Sequence, residues 1–148
     1  MLKIQEQKEM TGQRFPQIGV GAVVFKNGKV LLVKRKHPPA KDQWSVPGGK
    51  LKFGERLRTA CEREIFEETG IKVKAGEIVY TFEVIDRDEK GDIRFHYVIL
   101  DFEAEYLSGN PIAGDDAAEA GWFDRQEIKS LDINPFTQKL LKEKLNFY

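Results

Sequence analysis

The sequence predicts a mixed α/β domain, and three observations indicate it. Two apolar runs, 18–25 and 29–35, flank the segment 26–28, whose Asn-Gly pair is the strongest short-range signal for a β-hairpin. The segment 55–69 contains neither Gly nor Pro and is rich in helix formers. Two long runs of β-branched and aromatic residues follow it. Strands with helices in the middle and at the end of a chain are typical of an α/β domain.

Turn and capping residues place the boundaries of these elements. The segment 37–42 predicts a loop because it is polar and contains two prolines. Gly70 stands where a helix C-cap glycine belongs, so the central helix is expected to end at Thr69. The two β-rich runs, 78–85 and 93–104, predict strands that are separated by a charged, turn-like segment.

The last part of the chain predicts a short strand and two helices. The strand lies around 121–123, and Asp124 is expected to cap a short helix that runs through Ile128. The dipeptide 134–135 combines asparagine, a favoured N-cap residue, with proline at the first helical position. This pair predicts a final helix that ends at about Leu145.

Composition and charge favour a cytoplasmic globular protein. The length suits one domain, 1–148, in which the polar segment 1–14 is interpreted as a loose arm or an oligomer contact. Lys plus Arg and Asp plus Glu each number 24, so there is no general attraction for nucleic acid or an anionic membrane. Cys61 is the single cysteine, which excludes an intrachain disulfide and favours a reducing compartment. No apolar run suits a secretory signal or a membrane span.

The central helix carries acidic residues on an unexpected side. On a helical wheel of about 100° per residue, the stripe that should face the core consists of Leu57, Ala60, Cys61 and Ile65. Three glutamates fall on or beside this stripe rather than opposite it: Glu64, Glu67 and Glu68. A solvated acidic face is the usual interpretation of a glutamate-rich helix, and binding of a divalent cation is the alternative.

The electrostatic cost of placing like charges close together on a partly buried helix face favours binding of a divalent cation. Like charges three or four residues apart on an exposed helix cost only about 0.2–0.5 kcal/mol per pair. Partly buried, at about 6 Å and an effective dielectric of about 20, each pair would cost roughly 3 kcal/mol. Three such pairs would rival the stability of a domain, about 5–15 kcal/mol. Arg63 can reach Glu67 at a spacing of four, but one arginine is not expected to serve three carboxylates. Clustered hard oxygen ligands suit Mg²⁺ or Mn²⁺.

The glutamates are part of a longer motif. Gly49 is followed by five residues, then Glu55, then seven residues and the run 63–71, Arg-Glu-Ile-Phe-Glu-Glu-Thr-Gly-Ile. This arrangement resembles the Nudix box, here 49–71, at every defining position. The Trp-Ser-Val-Pro-Gly-Gly sequence at 44–49 and the late Trp-Phe pair also resemble Nudix domains. The resemblance implies a Nudix fold, in which a mixed sheet lies between helices and the box forms a loop–helix–loop.

The resemblance implies roles for individual residues. In Nudix hydrolases the box helix carries the divalent metal ligands, and the glycine before the box often adds a backbone carbonyl. In this sequence those positions are Gly48, Glu64, Glu67 and Glu68. Glu67 or Glu64 is the expected catalytic base, with a carboxylate outside the box as the alternative. Glu55 and Arg63 are expected to orient the ligands without binding the metal themselves. Mg²⁺ is the expected cofactor, with Mn²⁺ as its substitute.

Residues outside the box complete the candidate site. The segment 114–119, Gly-Asp-Asp-Ala-Ala-Glu, lies where the family often places a late acidic ligand. Asp116 is preferred as the metal ligand, and Glu119 is the second choice and a candidate for substrate binding; a polar loop that ends in a cap is the alternative. Arg35 ends the second hairpin strand, where relatives often carry a basic residue that faces the phosphates. An exposed strand-end arginine is the alternative there.

The substrate is expected to be a small nucleotide derivative. The segments 95–102 and 113–117 resemble small Nudix proteins that hydrolyse ADP-ribose to AMP and ribose 5-phosphate, although 72–92 lacks the proline that many of these enzymes carry. A house-cleaning nucleoside triphosphate pyrophosphohydrolase, which releases diphosphate, is the alternative. A non-catalytic nucleotide-sensing module is less consistent with the intact glutamates of the box. An RNA-cap substrate is less expected, because the balanced charge of the chain predicts no basic groove. Binding to a membrane or to nucleic acid is not expected. Formation of a homodimer is possible, because the sequence does not determine the oligomeric state.

Overall fold

The computed structural model describes residues 14–37 and 40–148, in which a seven-stranded mixed sheet lies between helices. The segment 1–14, interpreted above as an arm or oligomer contact, lies outside the described residues except for Arg14. The strands are β1 (Gln17–Lys26), β2 (Lys29–Arg35), β3 (Trp44–Ser45), β4 (Gly48–Lys50), β5 (Lys72–Arg87), β6 (Ile93–Ser108) and β7 (Ala117–Phe123). The helices are α1 (Leu57–Thr69), a 3₁₀ helix (Glu127–Ser130) and α2 (Pro135–Lys139), which continues as a π-helical turn (Leu140–Lys144).

The sheet mixes parallel and antiparallel pairs, as the sequence predicted. Its strand order is β3-β2-β1-β6-β5, with β4 added to β1 and β7 added to β2. Strands β1 and β6 are parallel, from the pair Gln17 and Tyr97 to the pair Phe25 and Glu105. The other neighbouring strands are antiparallel.

The β1–β2 hairpin confirms the Asn-Gly signal. Asn27 and Gly28 both have positive φ, 51° and 76°. Positive φ at both central residues is the requirement of a type I′ turn, whose twist matches that of the flanking strands.

Alternate residues of β1 and β2 face two separate hydrophobic clusters. One cluster joins the sheet to α1 and includes Val20, Ala22, Val24, Leu31, Ala60, Cys61 and Ile65. The other joins the opposite face to the C-terminal helices and includes Val23, Val30, Leu32, Ile128, Leu140 and Leu141. Because side chains alternate along a strand, each strand serves both clusters. The sheet is therefore sandwiched, and the predicted inward stripe of α1 is confirmed.

The C-terminal end of α1 is fixed to a loop that precedes β7. Gly70 adopts φ 74° and donates its N–H to Phe66 O at 2.8 Å, which confirms the predicted C-cap. Ile112 N–H then donates to Thr69 O at 2.8 Å, and Gly114 N–H donates to Glu68 O at 2.9 Å. These two bonds hold the loop against the last turn of α1.

Several predicted boundaries were wrong. Helix α1 begins at Leu57 rather than at residue 55, and no side chain caps its first turn. Strands β5 and β6 extend beyond the predicted runs because they pair with each other along almost their whole length. Strand β4 was not predicted, since two of its three residues are glycines.

The two predicted caps near the C-terminus are present. Asp124 Oδ1 accepts hydrogen bonds from the N–H groups of Gln126 and Glu127 at 2.9 and 2.8 Å. The helix it precedes is a 3₁₀ turn that starts later than expected, at Glu127. Asn134 Oδ1 accepts from Phe136 N–H at 2.9 Å, as expected. Within the described ranges, no helix has the length and apolar character needed to cross a membrane.

Candidate active site

Arg63 forms hydrogen bonds with all five of its guanidinium N–H groups. Its Nε and one Nη2 hydrogen bind the two oxygens of Glu55 at 2.7 and 2.8 Å. The second Nη2 hydrogen binds Lys50 O at 3.1 Å. The two Nη1 hydrogens bind Glu64 Oε1 at 2.6 Å and Glu67 Oε2 at 3.1 Å. Since a guanidinium has five donors, no donor is left over.

As expected, this one arginine does not serve all three glutamates of the helix, although it binds a third carboxylate outside the helix, that of Glu55. Arg63 binds Glu55 with one edge of its planar fork, and its remaining nitrogen reaches Glu64 and Glu67. The glutamate that Arg63 does not bind is Glu68. The helical wheel misplaced Glu67, whose side chain is 40 % exposed, whereas that of Glu64 is 16 % exposed.

The Glu55–Arg63 pair is the most sheltered ion pair of the site. The side chains are 13 % and 19 % exposed. The hydrogen bonds from Arg63 lower the pKa of Glu55 to about 2. Hydrogen bonds to Glu55 and then to Glu64 raise the pKa of Arg63. Both groups therefore stay charged over the whole physiological range, and their bond fixes the orientation of the arginine.

Glu64 lies directly against β4. A Cβ atom added to Gly49 would collide with the Glu64 carboxylate, so any other residue here would displace the carboxylate from this position. Burial raises the pKa of Glu64, the hydrogen bond and charge of Arg63 oppose that rise, and repulsion from Glu67 and Asp115 adds to it.

Glu68 lies one turn further along α1, on the same side. Burial raises its pKa to about 8, against the opposing effects of a backbone hydrogen bond from Gly48 and the charge of Arg35. The charges of Glu64 and Asp116 raise it further. Residues of β2, β4, α1 and the loop before β7 therefore all act on the Glu68 carboxyl.

The loop before β7 supplies two aspartates. Gly114 packs so closely on α1 that a Cβ atom there would collide with Glu67 O. Asp115 adopts a left-handed φ of 48°, and its charge acts on Glu64. Asp116, the preferred late ligand, is near enough to Glu68 to affect its pKa. Asp115 was not among the candidates from the sequence, because the sequence alone does not show which of two adjacent aspartates in a loop faces the glutamates.

Arg35 and Glu119, the two remaining candidates, lie in different surroundings. Arg35 ends β2 as predicted, and its charge acts on Glu68. Glu119 pairs across the sheet with Lys34, and its carboxylate forms an ion pair with Lys34 Nζ at 3.3 Å. The substrate-binding role of Glu119 stays a prediction, and this ion pair competes with it.

The donor chemistry of the site fits a divalent cation. Glu67 and Asp115 act electrostatically on Glu64, and Glu64 and Asp116 act on Glu68. Glu64 lies beside Gly49, and Glu68 accepts a backbone hydrogen bond from Gly48. Burial and repulsion from neighbouring carboxylates raise the pKa values of Glu64 and Glu68. Their ionised forms therefore need a nearby positive charge, which a hard divalent cation would supply. As the side chains stand, no three His, Cys, Asp or Glu residues of 14–37 and 40–148 converge as ligands of one ion. Arg63 instead holds one oxygen each of Glu64 and Glu67.

Comparison with known proteins shows the family of this chain. The family model described as "NUDIX domain" matches residues 15–144. The ADP-ribose pyrophosphatase of Methanocaldococcus jannaschii is 32% identical over 143 residues, which cover 97% of this chain and 81% of that protein. The oxidized purine nucleoside triphosphate hydrolase of Danio rerio is 33% identical over 120 residues, which cover 78% and 67% of the two chains.

Solved structures show the same likeness. A MutT NUDIX hydrolase from Burkholderia pseudomallei superposes with a TM-score of 0.76 at 30% identity and covers 89% of this chain and 99% of that one. A NUDIX hydrolase from Nitrosomonas europaea gives a TM-score of 0.75 at 26% identity and covers 90% and 72%.

Proposed function

This chain belongs to the Nudix domain family and is a hydrolase of that family, and from this premise we propose that it cleaves the diphosphate linkage of a nucleoside diphosphate derivative. The preferred substrate in this proposal is ADP-ribose, which yields AMP and ribose 5-phosphate. The observation that carries the proposal is the mutual electrostatic influence of Glu64, Glu67 and Glu68 of α1, two of which lie beside the glycines of β4. The similarity to a named ADP-ribose pyrophosphatase along 97% of the chain supports the choice of substrate.

Nudix hydrolases generally require divalent metal ions. In the proposal the ion is Mg²⁺, with Mn²⁺ as a substitute, and its ligands are Gly48 O and carboxylates of Glu64, Glu67, Glu68 and Asp116. When bound, such an ion offsets the charge of the diphosphate and lowers the pKa of a bound water.

Glu67 and Glu64 are the two candidates for the catalytic base. Arg63 binds one oxygen of each carboxylate and leaves the second oxygen of each available to other partners. Glu67 is exposed enough to reach solvent water, whereas burial raises the pKa of Glu64 toward the range in which a carboxylate accepts protons effectively. Arg63 and Glu55 are proposed as positioning residues, because Arg63 binds both carboxylates and Glu55 fixes the orientation of Arg63.

Arg35 is proposed to bind a phosphate of the substrate. It lies on the sheet beside Glu68, so that its positive charge is close to the proposed ligands. A fixed cation at this place would oppose repulsion between the diphosphate and the carboxylates.

A nucleoside triphosphate pyrophosphohydrolase is the second candidate function. It is supported by the similarity to the Danio rerio enzyme, which is named for the hydrolysis of oxidized purine nucleoside triphosphates. The same carboxylates would serve either reaction, so the site next to α1 does not distinguish them.

A substrate panel tests the proposal. Purified protein with Mg²⁺ or Mn²⁺ is assayed against ADP-ribose, other nucleoside diphosphate sugars, dinucleotides and nucleoside triphosphates, and products are separated by chromatography. We expect kcat/KM to be highest for ADP-ribose, with AMP and ribose 5-phosphate formed in equal amounts. Release of diphosphate from a triphosphate at a higher kcat/KM would favour the second candidate. Absence of cleavage across the panel would reject both.

A further inference from the structure

Asp101 is a buried carboxyl that the proposed reaction does not use. It lies in the middle of β6 and is only 3% exposed. A Cβ atom on Gly21, its partner on the neighbouring strand, would collide with Asp101 Oδ1. The glycine therefore provides the space in which the carboxyl lies.

No described residue donates a hydrogen bond to this carboxyl or forms an ion pair with it. Burial alone raises the pKa of Asp101 to about 7, with no charge or hydrogen bond that opposes it. Buried polar groups almost always have partners, so a carboxyl without one in residues 14–37 and 40–148 needs an explanation.

A small part of the Asp101 carboxyl group is exposed to solvent. The fully occluded polar side-chain atoms without partners, among the described residues, are Gln17 Oε1, His96 Nε2 and Tyr148 OH. Neither oxygen of Asp101 is among them, so the remaining exposed surface of the residue reaches its polar end. One hydrogen-bonding group of a ligand could contact it there.

Asp101 faces away from α1, toward a group of aromatic rings. Its neighbour Phe102 packs into the α1 cluster, so Asp101 occupies the opposite face of β6. Tyr80 lies directly across from it on β5. Phe82 stacks on Tyr80 with ring centroids 5.2 Å apart, and on Phe136 of α2 at 4.2 Å. We call Tyr80, Phe82 and Phe136 the aromatic group; all three are half-buried.

The other side of Asp101 leads to the candidate active site. The same Cβ atom on Gly21 would lie 3.1 Å from Pro47 O, so the carboxyl, Gly21 and the chain entering β4 meet at one point. The next residue along is Gly48, which contacts Glu68. A ligand with its phosphates at β4 and a flat ring at the aromatic group would therefore extend past Asp101.

We propose that Asp101 is a specificity-determining residue that accepts a hydrogen bond from the exocyclic amino group of the substrate's adenine, beside the aromatic group. This inference rests on the proposed function for the identity of the base. A carboxyl oxygen accepts from an amino group in either protonation state. The aromatic group offers apolar surface to the ring, and the amino group supplies the donor that Asp101 lacks.

Equilibrium binding to product nucleotides tests this without turnover. Calorimetry compares AMP with purine riboside 5′-monophosphate, which lacks the amino group, on the wild type, Asp101→Ala and Asp101→Asn. We expect Asp101→Ala to weaken AMP binding about tenfold and to leave the deamino analogue within about twofold, as expected for loss of one hydrogen bond to a charged group. Asp101→Asn keeps a carbonyl acceptor and is expected to hold AMP within about threefold.

Glu103→Ala is the matched control, since Glu103 lies two residues along on the same face of β6 but is exposed. We expect it to change neither affinity. Loss of equal size for both nucleotides in Asp101→Ala, no loss for either, or no binding of AMP to the wild type would each overturn the inference. Should Asp101→Ala not fold, the wild type itself must still prefer AMP to the deamino analogue by about tenfold.

The two proposals fail separately. Failure of the proposed function shows as an absence of diphosphate cleavage in the wild type. Failure of this inference shows as an absence of coupling between Asp101 and the amino group in a binding experiment that involves no cleavage.

Discussion

Neighbouring glutamates of α1 differ strongly in environment although they share one short segment. Glu67 is exposed, Glu64 lies over Gly49, and Glu68 is half-buried beside Gly48. Arg63 compensates the first two and not the third. The helical wheel indicated the inward position of Glu64 and Glu68 from residue spacing alone. It could not show the role of Glu55, because the loop that carries Glu55 back to Arg63 is not helical.

Loss of one ligand charge is expected to abolish most activity without unfolding the protein. Glu67→Gln and Glu68→Gln keep the shape of each side chain but remove a charge that the proposed metal site needs. We expect each to lower kcat by about two orders of magnitude or more, in line with removal of a group that stabilises developing charge. Circular dichroism and melting curves check the fold. Glu77→Gln, at an exposed ion pair with Arg58, is the control and is expected to keep full activity.

The raised pKa of Glu68 gives stability a defined dependence on pH. Its pKa is about 8 in the folded protein against 4.5 for an unperturbed glutamate, so the folded state holds the proton more tightly. Without divalent cations, stability is therefore expected to fall as pH rises from about 4.5 through about 8, and then to level off. Asp101, with a pKa of about 7, contributes in the same direction.

Melting temperatures between pH 5 and 9 in the presence of a chelator measure this dependence. Glu68→Gln is expected to flatten the decline, and Mg²⁺ is expected to stabilise the wild type more at pH 8.5 than at pH 6, because metal binding requires the ionised carboxylate. A decline that is unchanged in Glu68→Gln would show that another group is responsible.

At the scale of elements, the site depends on close contact between α1 and β4. Glycine at 49 leaves space for the Glu64 carboxylate, and hydrogen bonds from the 112–114 segment hold the last turn of α1. Helix α1 and its C-cap could be predicted, because the relevant signals are local. Strand β4 could not, since a three-residue strand exists only through pairing with β1, which is distant in sequence.

Substitution of Gly49 tests this contact. In Gly49→Ala the new Cβ must displace the Glu64 carboxylate, so we expect kcat to fall about tenfold or more, with a loss of stability below about 2 kcal/mol. Gly28→Ala is the matched control. It costs about 1 kcal/mol through its positive φ but meets no atom within 4 Å, and it lies in the β1–β2 turn. Equal activity of both variants would contradict the role assigned to Gly49.

At the scale of the whole molecule, the sheet separates two layers that differ in composition. Helix α1 packs on one face, while the aromatic group and the C-terminal helices lie on the other, and β4 with its glycines lies where the two regions meet. The mixed sheet and its two layers of helices could be predicted from the order of elements and the box motif. The position of Asp101 could not, because the run 95–102 shows a strand without showing which face each residue takes. That assignment follows from the parallel pairing of β6 with β1.

The central claim is that the carboxylates of α1 and the loop before β7 together bind a divalent cation. Anomalous diffraction from a crystal soaked in Mn²⁺ tests it most directly. We expect a peak about 2.0–2.5 Å from oxygens of Glu64, Glu67 or Glu68, with Glu64 and Glu67 turned from Arg63 toward the ion, and no such peak in Glu68→Gln. Wild-type crystals that bind Mn²⁺ elsewhere, while Glu64 and Glu67 stay on Arg63 with no ion beside Glu68, would contradict the claim.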